Sequence, residues 1–144
     1  MPVYEVVTTE GTLNDEQRQE IATAVVKAHC SNTGAPELFV NVLFRDLAPG
    51  RTFSAGKPSQ MSAIVGTIRA GRTIEVKQQI MRDLSDSWLK ITGLSIADVI
   101  LAINEIDAAA SMELGLIYPV PGTEAAWFEE HKDRLAELGL TSLA

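Results

Sequence analysis

Pro2 is the residue whose chemistry depends most on its place in the chain. It follows the initiator Met1 and precedes an alternating apolar run at residues 3–8, which predicts a β-strand. Initiator methionines are usually removed when the next residue is small, and removal here would make the Pro2 nitrogen a free secondary amine. An α-amino group titrates at about pH 8, and an apolar site or nearby arginines lower that pKa. Such an amine can take a proton from carbon and return it elsewhere near neutral pH.

Arg69 and Arg72 form the second group of residues suited to chemistry. They lie three positions apart, between a predicted strand and a predicted helix that begins near Thr73. Two guanidinium groups beside the amides of a helix N-terminus can hold a planar carboxylate. A small 2-keto acid, or its enol, would therefore suit both the amine and the arginines. The simpler alternative is that both arginines are solvated charges at the start of a helix.

The elements that must position these groups form an internal repeat. A strand, a helix and a second strand occur in that order twice, which is typical of β-α-β units. Residues 19–21 match residues 78–80 at an offset of 59 positions. The Thr-Gly pair at 33–34 matches the pair at 92–93 at the same offset. The predicted ranges are 3–8, 16–32 and 38–44 in the first unit, and 62–68, 73–91 and 99–103 in the second.

The repeat predicts an α/β fold in which two fused β-α-β units form a four-stranded sheet with two helices on one face. A right-handed crossover makes the two strands of each unit parallel. We expect one domain over residues 1–144, with the repeat at 1–46 and 60–106 and a C-terminal tail at 107–144. Because the strands are rich in Val, Ile, Leu and Phe, we expect other subunits of an oligomer to cover the sheet face without helices.

Two stretches outside the repeat lack its pattern. Residues 45–60 are rich in glycine, proline and small polar residues, and they predict a long loop, a type of segment that is usually functional or disordered. The tail predicts a turn at residues 119–122 and a short acidic helix over residues 124–138. We expect Trp127 and Phe128 on that helix to pack against a neighbouring subunit.

Composition argues against several classes of function. The 144 residues carry a formal net charge of −7, whereas nucleic acids and anionic membrane surfaces require a basic footprint. We find no apolar run long enough to span a membrane and no signal peptide before the first strand, so a cytoplasmic location is expected. The single cysteine, Cys30, rules out an intramolecular disulfide. The two histidines are far apart in sequence, and no metal site is expected.

Five short motifs follow one another along nearly the whole chain. They are Pro2-Val-Tyr4, Ala28-His29, Arg69-x-x-Arg72 followed by Thr73, Met112-Glu113-x-Gly115, and Pro121-Gly-x-Glu-x-x-Trp-Phe128. None is specific alone, but their order and spacing together resemble the tautomerase superfamily. The long, fused relatives of cis-3-chloroacrylic acid dehalogenase look most similar.

The resemblance implies roles for five side chains. The Pro2 amine would be the catalytic acid or base, while Arg69 and Arg72 would hold the carboxylate of the substrate. His29 would support a substrate oxygen, and Glu113 would activate a water molecule. The alternatives left open are a structural histidine at a helix end and a glutamate that is only a surface acid. The resemblance also implies a homotrimer that acts on a small carboxylate substrate without a cofactor or a metal.

Position 102 departs from the dehalogenase pattern. In that enzyme a tyrosine eleven positions before the glutamate assists water activation, and here the position holds Ala102. We therefore rank keto–enol tautomerisation of small 2-keto or enol carboxylic acids first. Hydrolytic dehalogenation or hydration of cis-3-haloacrylate-type acids ranks second and is expected to be weak or absent. A third alternative is a non-catalytic relative with the same fold, which applies if Met1 is retained and the Pro2 nitrogen stays an amide.

Overall fold

The computed structural model describes residues 1–140, and twelve helices and strands are assigned among them. The last four residues of the predicted tail lie outside the described residues. In chain order the elements are β1 (Val3–Thr9), α1 (Asp15–Thr33), β2 (Asn41–Leu47), β3 (Phe53–Ser54), β4 (Lys57–Pro58), β5 (Ser62–Arg69), α2 (Ile74–Thr92), β6 (Val99–Ile106), β7 (Met112–Glu113), β8 (Leu116–Ile117), α3 (Glu124–Glu130) and α4 (Lys132–Glu137).

Four strands form one mixed sheet in the order β2-β1-β5-β6. β1 pairs with β2 in parallel, β5 pairs with β6 in parallel, and β1 and β5 pair antiparallel in the centre. Each parallel pair is joined by one long helix, as a β-α-β crossover requires. The predicted fold of two fused β-α-β units is therefore confirmed.

Each long helix begins and ends where its local sequence allows. The Asn14 side chain accepts a hydrogen bond from the backbone N–H of Gln17, whose side chain returns one to the Asn14 backbone, so α1 starts with a capping box. Thr73 caps α2 in the same position. Gly34 and Gly93 end the two helices in the left-handed conformation, with φ of 71° and 67°. These four caps set both helices to the same length.

The two helices cover one face of the sheet and form the main core with it. Tyr4 is fully buried in this core and faces Gly66 across the central strand pair. A Cβ atom at Gly66 would lie 2.5 Å from the Tyr4 ring, so only glycine leaves room for this tyrosine. The buried apolar members are Tyr4, Val6, Leu13, Ile21, Val25, Ala28, Ile64, Ile68, Ile80, Leu84, Trp88 and Val99.

The opposite face of the sheet carries apolar side chains without a covering layer among residues 1–140. Leu43 on β2 is 56% exposed and Ile100 on β6 is 53% exposed. Between these edge strands lie Val7 and Val65 on the two central strands, both partly exposed. This surface agrees with the expectation that other subunits cover it.

Three predicted elements differ from the structure. Leu38 and Phe39 belong to a 3₁₀ turn, and β2 begins at Asn41, because Phe39 is buried against the tail instead of joining the sheet. The predicted loop at 45–60 contains the end of β2 and the small hairpin β3–β4. The predicted tail helix is two helices that meet at His131, whose ring Nδ1 lies 2.8 Å from the Trp127 carbonyl and competes with the helical ladder.

No helix within residues 1–140 combines the length and the apolar character that a membrane span needs.

Candidate active site

One pocket lies where β1 begins, α1 ends and α2 begins. It brings together Pro2, His29, Arg69 and Arg72, which are four of the five residues predicted from the sequence. Glu113, the fifth, borders this group through its contacts with Met1 and Tyr118, which both line the pocket. The ends of these elements thus bring together residues that lie up to 111 positions apart in the sequence.

Pro2 is buried at the start of β1, and its carbonyl accepts a hydrogen bond from the Asn41 backbone. With Met1 present, the Pro2 nitrogen is an amide and the free amine belongs to Met1. This amine lies 2.7 Å from Oε2 of Glu113. Burial lowers the pKa of the Met1 amine to about 6, although the Glu113 carboxylate raises it and Arg69 lowers it further. An amine at this place in the fold is therefore largely neutral at pH 7.

His29 is buried near the C-terminus of α1, and its Nδ1 lies 3.0 Å from the Tyr4 hydroxyl. Burial raises the pKa of Tyr4, so the phenol stays protonated. A buried hydroxyl is satisfied when it donates, which makes Nδ1 the acceptor and leaves the proton on Nε2. Burial lowers the pKa of His29 to about 4, and Arg72, the N-terminus and Arg69 lower it as well. The ring is thus a neutral hydrogen-bond donor.

His29 makes the stability of the protein depend on pH. In the unfolded chain a histidine titrates near about pH 6.5, whereas the folded chain holds the pKa of His29 at about 4. Between these values the unfolded state binds more protons, so the free energy of unfolding is expected to fall as pH is lowered from about 6.5 to about 4, by up to about 3 kcal/mol.

Urea unfolding at a series of pH values checks this expectation. His29→Gln is expected to flatten the slope in that window, while His131→Gln, which removes the other histidine, is expected to keep it. Equal slopes in wild type and His29→Gln would show that His29 is not the group responsible.

Arg69 is almost fully buried, and its guanidinium already has partners within the chain. Nη1 donates to the Pro119 carbonyl at 2.6 Å, and Nη2 donates to Oε1 of Glu124 at 2.9 Å. The other carboxylate oxygen of Glu124 accepts from the Gly122 backbone. Burial alone would raise the pKa of Glu124, but its own backbone N–H, Arg69 and the Gly122 N–H lower it below its usual range. Arg69 thus ties the tail to β5.

Arg72 differs from Arg69 because no carboxylate lies within ion-pair distance of it among residues 1–140. Its Nη1 donates to the Thr33 carbonyl at 3.2 Å. Burial lowers the pKa of Arg72, and the positive charge of Arg69 lowers it further. A carboxylate ligand would relieve this repulsion. The two arginines predicted to hold a carboxylate therefore differ, and Arg72 is the more available cation.

Glu113 lies on the small hairpin formed by β7 and β8. The two turn residues, Leu114 and Gly115, both have positive φ values, 57° and 76°, as a tight two-residue hairpin requires. Leucine is strained in this conformation by about 1 kcal/mol or more. The backbone N–H of Tyr118 donates to the Ser111 carbonyl and extends the hairpin. Glu113 and Tyr118 therefore lie diagonally across from each other on one face.

Three donors surround the Glu113 carboxylate. Asn41 Nδ2 donates to Oε1 at 2.9 Å, while the Met1 amine and the Tyr118 hydroxyl both contact Oε2. Ala102 lies between two residues of β6 that pack on the helices, so it faces the other side of the sheet.

A phenol that was not predicted from the sequence lies beside Glu113, that of Tyr118. The signal in the sequence was the hairpin itself: Leu114-Gly115 sets a register that brings the residue at position 118 back to Glu113.

The tail forms an aromatic wall of the pocket. The Trp127 ring stacks on Tyr118 with 3° between the planes, and Phe39 meets Tyr118 edge to face. Trp127 Nε1 also donates to the Ile117 carbonyl. Trp127 and Phe128 line the pocket of their own chain, and their predicted packing against a neighbouring subunit stays a prediction.

Residues 1–140 contain no group of three or more His, Cys, Asp and Glu side chains arranged to hold a metal ion.

Comparisons with known proteins agree with this fold. The structure of native Ps01740 is similar at 39% identity, with 77% of this chain and 99% of that chain covered and a TM-score of 0.75. N1, described as a member of the cis-3-chloroacrylic acid dehalogenase (cis-CaaD) family, is similar at 28% identity over 94% of this chain and 99% of that chain, with a TM-score of 0.85.

A fused 4-OT described as an asymmetric trimer shares the fold, at 23% identity and a TM-score of 0.72 over 80% of this chain and 94% of that chain. No curated protein matches the sequence significantly. The family model described as "Putative oxalocrotonate tautomerase enzyme" matches residues 1–132. The chain therefore belongs to this family, within the tautomerase superfamily and with relatives of the cis-CaaD type.

Proposed function

We propose that this chain is a cofactor-independent tautomerase of small 2-keto and enol carboxylic acids, which acts through the Pro2 amine once Met1 is removed. The observation that carries the proposal is the convergence of Pro2, His29 and the two arginines on one pocket. A basic site with aromatic and apolar walls suits a small acid with one carboxylate and one polarisable oxygen.

Binding of the substrate would use the groups that have unused donors. Arg72 would take the carboxylate, and Arg69 would add one of its free N–H groups while it keeps Glu124. Nε2 of His29 would donate to the enol or keto oxygen. Because His29 is neutral, it orients this oxygen without adding a charge to a pocket that already holds two guanidinium groups.

The proton transfer would be carried by Pro2. In ketonisation the O–H bond of the enol breaks, its electron pair forms the C=O bond, and the C=C pair takes a proton at C3. An amine that accepts the first proton and delivers the second returns to its starting state. Burial that lowers the pKa of the Met1 amine to about 6 would act on a Pro2 amine too, since Pro2 lines the same pocket. Both protonation states are then accessible near pH 7.

Hydration or hydrolytic dehalogenation of 3-substituted acrylates is the second candidate function. One specific contact favours it: the Tyr118 hydroxyl donates to the Glu113 carboxylate. The sequence-based reason for ranking this activity low was the alanine at position 102, and the contact between Tyr118 and Glu113 counts against that reason.

An ultraviolet assay with phenylenolpyruvate tests the first proposal. Protein whose first residue is Pro2 is expected to ketonise this enol well above the rate in buffer, and Pro2→Ala is expected to be at least about 100-fold slower. Circular dichroism of both proteins controls for folding. A wild-type rate equal to that in buffer would contradict the proposed tautomerase.

We also propose a homotrimer in which the uncovered sheet face lies between subunits. The exposed Leu43 and Ile100 support this, as does the description of a fused 4-OT as a trimer. A cytoplasmic location and a single domain over residues 1–144 stay predictions.

A further inference from the structure

We propose that Tyr118 is the positioning residue for Glu113 in the addition of water to an unsaturated carboxylate. The proposal rests on the Pro2 and arginine site described above and deepens the second candidate function. It assigns the phenol at this carboxylate to the tail of the same chain, five residues after Glu113, and not to position 102.

The side chains around Tyr118 hold its ring in one orientation, which fixes where its hydroxyl points. The side chain is 8% exposed. Trp127 stacks on one face of the ring with 6.3 Å between centroids, and Phe39 closes the edge at 5.6 Å. The Arg69 guanidinium lies 5.6 Å from the ring centroid. A ring held on several sides loses little further rotamer freedom when its O–H binds Glu113, so this contact is preorganised.

Glu113 is held from two sides by groups that remain when Met1 is removed. Asn41 donates to Oε1 and Tyr118 donates to Oε2. Removal of Met1 takes its amino group away from Oε2. A carboxylate has about four acceptor positions, so Glu113 can then accept a proton from water while both oxygens stay anchored. Without Tyr118, Oε2 would lose its remaining donor among residues 1–140.

The chemical step balances without a further reactant. A water O–H bond breaks and its proton goes to Glu113, while the oxygen forms a bond to C3 of cis-3-chloroacrylate. The C2=C3 electron pair moves to C2 and takes a proton from the protonated Pro2 amine. The resulting 3-chloro-3-hydroxypropanoate expels chloride as its hydroxyl proton passes to the now neutral Pro2 amine, and 3-oxopropanoate forms while Glu113 gives its proton to solvent. Tyr118 keeps its own proton throughout.

A comparison of two reactions at the same site shows whether Tyr118 positions Glu113 or only supports the fold. Halide release from cis-3-chloroacrylate needs an activated water, whereas ketonisation of phenylenolpyruvate does not. In protein that begins with Pro2, Tyr118→Phe is expected to lower kcat for halide release at least about 10-fold, as expected for loss of a hydrogen bond to a charged group. Ketonisation, which needs no activated water, is expected to fall by a clearly smaller factor than halide release.

Tyr4→Phe is the matched control, because it removes a buried phenol that contacts His29 and not Glu113. It is expected to lower both reactions in parallel. A Tyr118→Phe protein that behaves in the same parallel way would overturn the proposal, as would one with unchanged halide release. Wild type that releases no halide would also overturn it, while absence of ketonisation alone would count against the tautomerase and leave the role of Tyr118 standing.

Discussion

Protein that keeps Met1 is expected to ketonise phenylenolpyruvate at least about 100-fold more slowly than protein whose first residue is Pro2, the usual contribution of a positioned general base. With Met1 in place the Pro2 nitrogen is an amide and has no lone pair for a proton. The only α-amine is then that of Met1, which is 2.7 Å from Glu113 and paired with it. That amine is one residue away from the position that a Pro2 amine would take.

Halide release from cis-3-chloroacrylate is expected to be lost as well in protein that keeps Met1. Here a second cause acts, because the Met1 amino group occupies Oε2 of Glu113, where a water molecule would lose its proton. Retention of Met1 should therefore abolish both reactions for different reasons.

Both forms can be released from a cleavable N-terminal fusion, and intact mass confirms the first residue. The ratio of kcat/KM values for phenylenolpyruvate is then the measurement. Comparable activity in the two forms would contradict Pro2 as the catalytic base, and it would direct attention to Glu113 as the group that moves the proton.

The fold could be predicted from the sequence because its determinants are local. Asn14 and Gly34 cap the two ends of α1 from neighbouring positions in the sequence. The 59-residue repeat places the corresponding caps at the ends of the second helix. Pro2, Arg69 and Arg72 could be identified for a similar reason, since each lies at the end of a predictable element. The strand pairing then brings those ends to one pocket.

The contacts that decide how the pocket works could not be predicted in this way. The Arg69–Glu124 ion pair joins residues 55 positions apart, and nothing in the amphipathic pattern of the tail states where it docks. Gly66 is a similar case, because its lack of a Cβ matters only once Tyr4 lies across from it. These features depend on tertiary packing, which a periodic pattern does not specify.

The unequal arginines are expected to respond differently to the same substitution. Arg72→Ala is expected to raise KM for phenylenolpyruvate about 10- to 150-fold, the loss of a charge-assisted hydrogen bond to the carboxylate, with little change in Tm. Arg69→Ala is expected to lower stability by about 2 kcal/mol, below the usual loss for a broken buried pair because Glu124 is partly exposed. Tm is expected to fall because Arg69→Ala leaves the Glu124 carboxylate without its ion pair and removes a contact between the tail and β5.

Steady-state kinetics and thermal unfolding of both variants measure the two effects side by side. Arg72→Lys is the matched control, since it keeps the charge but not the planar guanidinium, and an intermediate KM is expected. If Arg69→Ala raised KM without changing Tm, Arg69 would be the free carboxylate ligand and its pairing with Glu124 would not persist when substrate binds. If the two variants lost stability equally, Arg72 would be a structural cation and the substrate carboxylate would need another partner in the pocket.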